Sequence, residues 1–230
     1  MACAGGVRQH IASQQKQSPA GSRPLEADPG RGTSMVQVRI HGRGGQGVVT
    51  AAELLALAAF YEGRVAQAFP SFGSERTGAP VVSFCRIEDH EIRVREPVME
   101  PDALIIQDAS LLHQVDVFSG LTRDGYVLIN SEREFTDLGL ADLLERHDRS
   151  RLLTVPAGEL ARQTVGRPVP NAALLGGFAA LTGLIGLEAV AEAIQHTFPG
   201  QVGARNVEAA RLAHAHVLRE MEELSCVAPD

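Results

Sequence analysis

Two clusters of residues have the types and spacing to do chemistry. The first is GRGGQG, spanning Gly42, Arg43, Gly44, Gly45, Gln46 and Gly47. Its glycines satisfy G-x-G-x-x-G between a strand-like and a helix-like run, the setting of a dinucleotide fingerprint. Glycines let a backbone approach a phosphate, and a helix start supplies free N–H groups with partial positive charge. Arg43 adds a cation beside that cradle. A nicotinamide site also needs a carboxylate for the ribose at the end of the second strand. Phe69 and Pro70 stand there, and neither accepts a hydroxyl; Glu62 has about the right separation but precedes the strand. Nicotinamide binding is therefore disfavoured. A phosphate cradle and a turn that only packs helix against strand both stay open.

The second cluster is the loop FPSFGSERTGAP over 69–80, which carries Ser74, Glu75, Arg76, Thr77 and Gly78. It is longer than a mere connection needs to be. Loops leaving the carboxyl ends of strands in an open α/β sheet meet at the ligand-binding edge, so this loop and the glycine turn should face one crevice. Arg76 can hold a phosphate or carboxylate through two parallel hydrogen bonds. The competing role is an ion pair with Glu75 or with a neighbouring subunit.

Other reactive types read as structural. Asp108 ends a strand and is expected to be a structural carboxylate, Asn171 to cap a helix, and Cys85 to fill core space. His214 and His216, two apart on a helix, do not share a face. Cys3, Cys85 and Cys226 are scattered, whereas an iron–sulfur cluster usually takes four thiolates and a structural zinc a comparable set. No Ser/His/Asp or paired-carboxylate set stands out, so no catalytic residue and no metal ligand is assigned.

The elements that must position these residues follow from hydrophobic periodicity. VQVRIH (36–41) alternates as a strand, VVTAAELLALAAFYEG repeats at helical spacing, and RVAQAF returns as a strand. This strand–turn–helix–strand order opens a parallel sheet. VVSFCRI (81–87) is a further strand, and EIRVRE (91–96) a candidate partner for it through a turn at 88–90. Buried strands are expected in 102–110, 125–131 and 151–157, with helical segments between them. Helices are expected over 158–165, 171–184, 187–198 and 207–223. The fold class is α/β: a three-layer α/β/α sandwich with a mostly parallel sheet, a Rossmann-like opening and a helical C-terminal portion.

The 230 residues are 44% hydrophobic and 21% charged, with a net charge of −7. That suits one globular domain, here 35–225, and argues against nucleic-acid or anionic-membrane binding, which concentrates Lys and Arg. Residues 1–34 lack periodicity and are expected to be a disordered tail, with 226–230 a flexible end. Met35 is a candidate start; the alternative is a translated tail. The apolar run 171–187 contains four glycines and falls short of the ~20 residues of a membrane span, so no span is expected and a cytoplasmic location is the default.

GRGGQGVVTAAELLALAA, QAFPSFGSERTGAPVVSFCRI, EPDALIIQD, GYVLINS, VPAGELARQTVGRPVPNAALLGGFAALTGL and QVGARNVEAARLAHAHV occur in that order. Together they resemble the gamma subunit of pyruvate and related 2-oxoacid:ferredoxin oxidoreductases, over about 36–217. The resemblance implies a subunit of an enzyme that converts a 2-oxoacid and coenzyme A to acyl-CoA, carbon dioxide and two low-potential electrons. It implies alpha, beta and delta (ferredoxin-like) partners that hold thiamine diphosphate, Mg2+ and 4Fe–4S clusters, with ferredoxin as acceptor and no cofactor held by this chain alone. The loop is more like pyruvate or branched-chain types than 2-oxoglutarate types.

Overall fold

The computed structural model describes residues 35–71, 77–94 and 96–227. The expected N-terminal tail, Ser74, Glu75, Arg76 and residues 228–230 lie outside them. Six strands form one sheet: β1 (Val36–Arg43), β2 (Val65–Pro70), β3 (Pro80–Glu88), β4 (Ala103–Ile106), β5 (Tyr126–Asn130) and β6 (Leu152–Val155). Their spatial order is β2-β3-β1-β4-β5-β6. β1, β4, β5 and β6 run parallel, while β3 is antiparallel to both β1 and β2. The mostly parallel α/β sandwich is as expected. The opening unit is modified, because β3 separates β1 from β2 although those two run in the same direction.

That insertion explains why 91–94, the described start of EIRVRE, is not a strand. Both edges of β3 are occupied, by β1 and by β2, so 91–94 has no hydrogen-bonding edge to join. Instead the stretch after β3 is held by two buried arginines on one face of the sheet. Arg86 donates to the carbonyls of Val94 and Glu96 and lies over the Phe69 ring. Arg39 donates to those of Val98, Val117 and Ser119.

The opposite face carries the thicker layer: α1 (Val48–Tyr61), α3 (Ala157–Val165), α4 (Asn171–Thr182), α5 (Leu187–Thr197) and α6 (Gly200–Val227). β1 sends Val38 and Ile40 into this core, and its Arg39 and His41 to the other side. The second layer is thin. Between β4 and β5 the expected helical segment is a 3-10 helix (Ala109–His113), and α2 (Ala141–Arg146), between β5 and β6, is short. Leu111, Phe135 and Leu138 there cover Leu104 and Ile106 of β4 and Val127 and Ile129 of β5.

α6 starts seven residues before the expected 207 and runs past 225, so Cys226 and Val227 belong to it and not to a flexible end. Its early glycine is a contact rather than a breaker: a Cβ on Gly203 would meet the Phe198 carbonyl. The same holds where α4 crosses α6. A Cβ on Gly176 would lie 2.0 Å from the Ala210 carbonyl oxygen, so only glycine lets the helices approach this closely.

Gly176→Ala should force the two helices apart and cost roughly 3 kcal/mol, read as a lower urea midpoint with the slope unchanged. A second prediction concerns His41. It is 6% exposed, and neither ring nitrogen has a partner among the described residues. Burial, then the Arg39 charge, push its pKa down to about 4. The unfolded chain takes up that proton near 6.5, so stability present above pH 6.5 is lost as pH falls toward 4, by up to about 3 kcal/mol. His41→Gln should flatten the stability–pH curve across that window; an equally steep curve in the variant would show that His41 is not responsible.

Candidate functional site

The carboxyl edge of the sheet is where β1 ends and α1 begins. Gly42 has no space for a side chain, since a Cβ would sit 2.6 Å from Val48 Cγ2 and 3.1 Å from Gln107 Oε1. Gly45 and Gly47 adopt positive φ of 93° and 73°, which glycine alone takes up without strain. Gly47 is also the N-cap of α1, and no described side chain caps that helix. The turn thus delivers the chain from β1 into α1 in four residues, 44–47, and leaves the first N–H groups of the helix without an intrahelical partner.

The second loop returns to the same place, as its topology demands. Gly44 and Thr77 form a parallel bridge. Gly44 N–H donates to Ala79 O at 2.9 Å, and Gly78 N–H to Gly44 O at 3.1 Å. Between them lies an open cleft of about 470 Å³ lined by Arg43, Gly44, Gly45, Gly47, Val48, Val49, Thr77 and Val81. Gly42 to Gly47, Thr77 and Gly78 are therefore brought together. Where Ser74, Glu75 and Arg76 stand is outside the described residues.

The polar side chains of the turn are already engaged. Arg43 Nε donates to Asp108 Oδ2 at 3.1 Å, Nη1 to Gly78 O at 2.9 Å, and Nη2 to Ser110 Oγ at 2.7 Å and Gln114 Oε1 at 3.0 Å. The cation expected beside a phosphate cradle is thus compensated and directed inward. Gln46 Oε1 accepts from Arg43 N–H at 2.7 Å, and its Nε2 donates to Asp108 Oδ2 at 2.9 Å. Burial pushes the Asp108 carboxyl up, but hydrogen bonds from Ser110 and Gln46 and the Arg43 charge outweigh it and hold the group below its ordinary value. The donors that remain are main-chain ones: no described residue accepts from the N–H groups of Gly45, Gly47, Val48 or Val49. The cleft can therefore receive an anion through backbone hydrogen bonds and the positive end of α1.

Asn171 does not cap α4 from outside. Pro170 is at the cap, while Asn171 opens the helix, is buried, and accepts from Ala172 N–H at 2.8 Å. Its amide nitrogen would be 2.7 Å from a Cβ on Gly47, so the start of α4 packs directly beside the turn. Gln107 lies buried behind Gly42, and neither end of its amide has a partner among the described residues. Asn130 ties β5 to the start of α3 by accepting from Gly158 N–H at 2.9 Å and donating to Gln107 O at 2.9 Å. The part played by Ser110, Gln114, Asn130 and Gln107 escapes a sequence reading, although Asp108, Gln107 and Asn130 all stand at strand carboxyl ends, where that signal was available. Glu62, weighed as a ribose carboxylate, accepts from Gly186 N–H at 2.7 Å and so joins α1 to α5. Cys85 is enclosed in β3, where burial pushes its thiol up to about 12, and no group of three His, Cys, Asp or Glu converges among the described residues.

The family described as pyruvate ferredoxin/flavodoxin oxidoreductase matches residues 37–216. The chain is 47% identical over 180 residues to pyruvate synthase subunit PorC of Methanothermobacter marburgensis, covering 78% of this chain and 96% of the relative. It is 47% identical over 179 residues to the pyruvate/ketoisovalerate oxidoreductases common subunit gamma of Pyrococcus abyssi, covering 78% and 95%. Its backbone matches the crystal structure of pyruvate oxidoreductase subunit PORC from Thermotoga maritima with a TM-score of 0.66 at 33% identity, covering 79% of this chain and 96% of that one. With a family model matching most of its length and relatives covered almost from end to end, the chain belongs to the pyruvate ferredoxin/flavodoxin oxidoreductase family, as a subunit of the gamma type.

Proposed function

We propose that this gamma-type subunit works within a pyruvate-type 2-oxoacid:ferredoxin oxidoreductase and lines the crevice that faces coenzyme A. The complex would convert a 2-oxoacid anion, coenzyme A and two oxidised ferredoxins to acyl-CoA, carbon dioxide, a proton and two reduced ferredoxins. The observation that carries the assignment is the cleft at Gly45, Gly47, Val48 and Val49, where main-chain donors and a helix start converge with no described acceptor. Coenzyme A presents phosphate groups of the kind such a cradle receives. The same relatives supply the pyruvate and ketoisovalerate names, so the oxoacid is of the pyruvate or branched-chain class.

In this assignment thiamine diphosphate with Mg2+, and the 4Fe–4S clusters, belong to the alpha, beta and delta partners, which this chain scaffolds. Among the described residues the thiols do not fit a cluster, since Cys85 is sealed in β3 and Cys226 lies alone on α6, and no three His, Cys, Asp or Glu converge to hold a metal ion. What the chain contributes is binding and orientation. A dinucleotide-dependent enzyme is disfavoured, because Glu62 is committed to Gly186 and the second strand ends in Phe69 and Pro70.

Gly45→Ala tests the cleft directly. The added methyl meets nothing within 4 Å, so it stands in open space at the cleft-lining turn and not in the core, while the φ of +93° strains the turn. With about 1–2 kcal/mol for a left-handed alanine, the KM for coenzyme A should rise by up to about tenfold in the complete complex, with subunit composition unchanged. Dissociation of the complex would point to an interface role instead, and an unchanged KM would exclude the coenzyme A assignment. The chain alone, given a 2-oxoacid and coenzyme A, should show no turnover; robust activity from it would overturn the subunit role.

A further inference from the structure

We infer that Asp108 is the positioning residue of the glycine turn, and that Arg43 and Gln46 act through it as struts rather than as contacts to the ligand. This role rests on the coenzyme A assignment of the cleft and specifies how the anion is met there.

The two carboxylate oxygens of Asp108 divide the work. Oδ1 accepts from Ser110 N–H at 3.0 Å and from Ser110 Oγ at 2.5 Å, which caps the 3-10 helix at the end of β4. Oδ2 reaches back 65 residues to Arg43 and 62 residues to Gln46. Gln46 closes the circuit, because its Oε1 accepts the Arg43 N–H. Three side chains and one main-chain group thus form a ring that fixes positions 43 and 46 together, reinforced by Gln46 N–H donating to Arg43 O at 3.0 Å.

The ring settles what Arg43 can do. Of the five N–H donors on a guanidinium, four are spent on Asp108, Gly78, Ser110 and Gln114. Its charge is paired at 3.1 Å, and the pair is about one-fifth exposed. An arriving phosphate meets a compensated ion pair, not a free cation. Among the described residues, the donors left for it are those of Gly45, Gly47, Val48 and Val49, the segment tied to the ring at Gln46 and packed against Asn171 at Gly47. Donors held in place before the ligand arrives need no reordering on binding, so the carboxylate strengthens anion binding although its own charge opposes it. Asp108 is thus a negative group that a positive-patch view of the cleft would discount.

The experiment is Asp108→Asn in the complete complex. Asparagine keeps the oxygen that caps Ser110 but removes the charge facing Arg43 and sets an NH2 group against that of Gln46. The KM for coenzyme A should rise about tenfold, kcat at saturating coenzyme A should stay within twofold, and subunit composition should match the parent, with the melting temperature only slightly lowered. Adding Arg43→Gln to Asp108→Asn should raise KM by less than Arg43→Gln does alone, since the strut has already lost its anchor. If Asp108→Asn impairs assembly, Gln46→Leu opens the ring without touching the 3-10 cap and should give the same rise. A wild-type KM in an intact complex carrying Asp108→Asn or Gln46→Leu, or fully independent effects of Arg43 and Asp108, would overturn the positioning role. Gly45→Ala separates the two levels: a raised KM there beside a normal one in Asp108→Asn rejects positioning alone, and normal values in both reject the coenzyme A assignment as well.

Discussion

The close approach at Gly42 is the constraint on which the rest of the structure depends. With a side chain there, Val48 and Gln107 would both have to retreat, and α1 could not start over the end of β1. The start of α1 would then leave the sheet edge, and with it the row of main-chain donors facing the 77–79 segment. Everything that distinguishes this edge from an ordinary strand-to-helix connection follows from one position lacking a β-carbon. The neighbouring Gly47 repeats the demand against Asn171, so two helices, α1 and α4, begin within contact distance of one turn.

Placing β3 between β1 and β2 makes the sheet mixed without dispersing that edge. Because β3 is antiparallel to both neighbours, β1 and β2 still run the same way and their carboxyl ends still share a side. The described residues that lead into β3, 77–79, therefore lie beside the glycine turn, where Gly44 pairs with Thr77 and Ala79. A simple parallel pair would have put β2 beside β1 and left no short return strand to close the cleft. The antiparallel insertion is thus the topological cause of the two-loop site.

Much of this was legible in the chain itself. Alternation in VQVRIH, the apolar ALII and YVLIN runs, and helical spacing in 48–61 are local signals, and they gave strands and helices where they occur. The glycine turn was legible for the same reason, as the positive φ of Gly45 and Gly47 is a local backbone need. Pairing order was not, because periodicity carries no record of which strand lies beside which. The described start of EIRVRE, 91–94, has the alternation of a strand and is not one, since its only candidate neighbour has both edges filled. In the candidate site, the charged and polar members misled: Arg43 looked like a ligand cation and Asp108 like a bystander. Their true partners are each other, more than 60 residues apart, and that distance is invisible to a window of a dozen.

The two arginines beneath the stretch that follows β3 have a consequence of their own. Arg86 is 1% exposed and Arg39 8%, and each spends its guanidinium on several main-chain oxygens rather than on a carboxylate. A guanidinium keeps its charge at any acidity a cell encounters, and its flat fork serves separate acceptors at once. Lysine would offer a single movable point in its place. The crossing from β3 to β4 is accordingly lashed by fasteners that acid does not loosen, directly alongside a histidine that acid does.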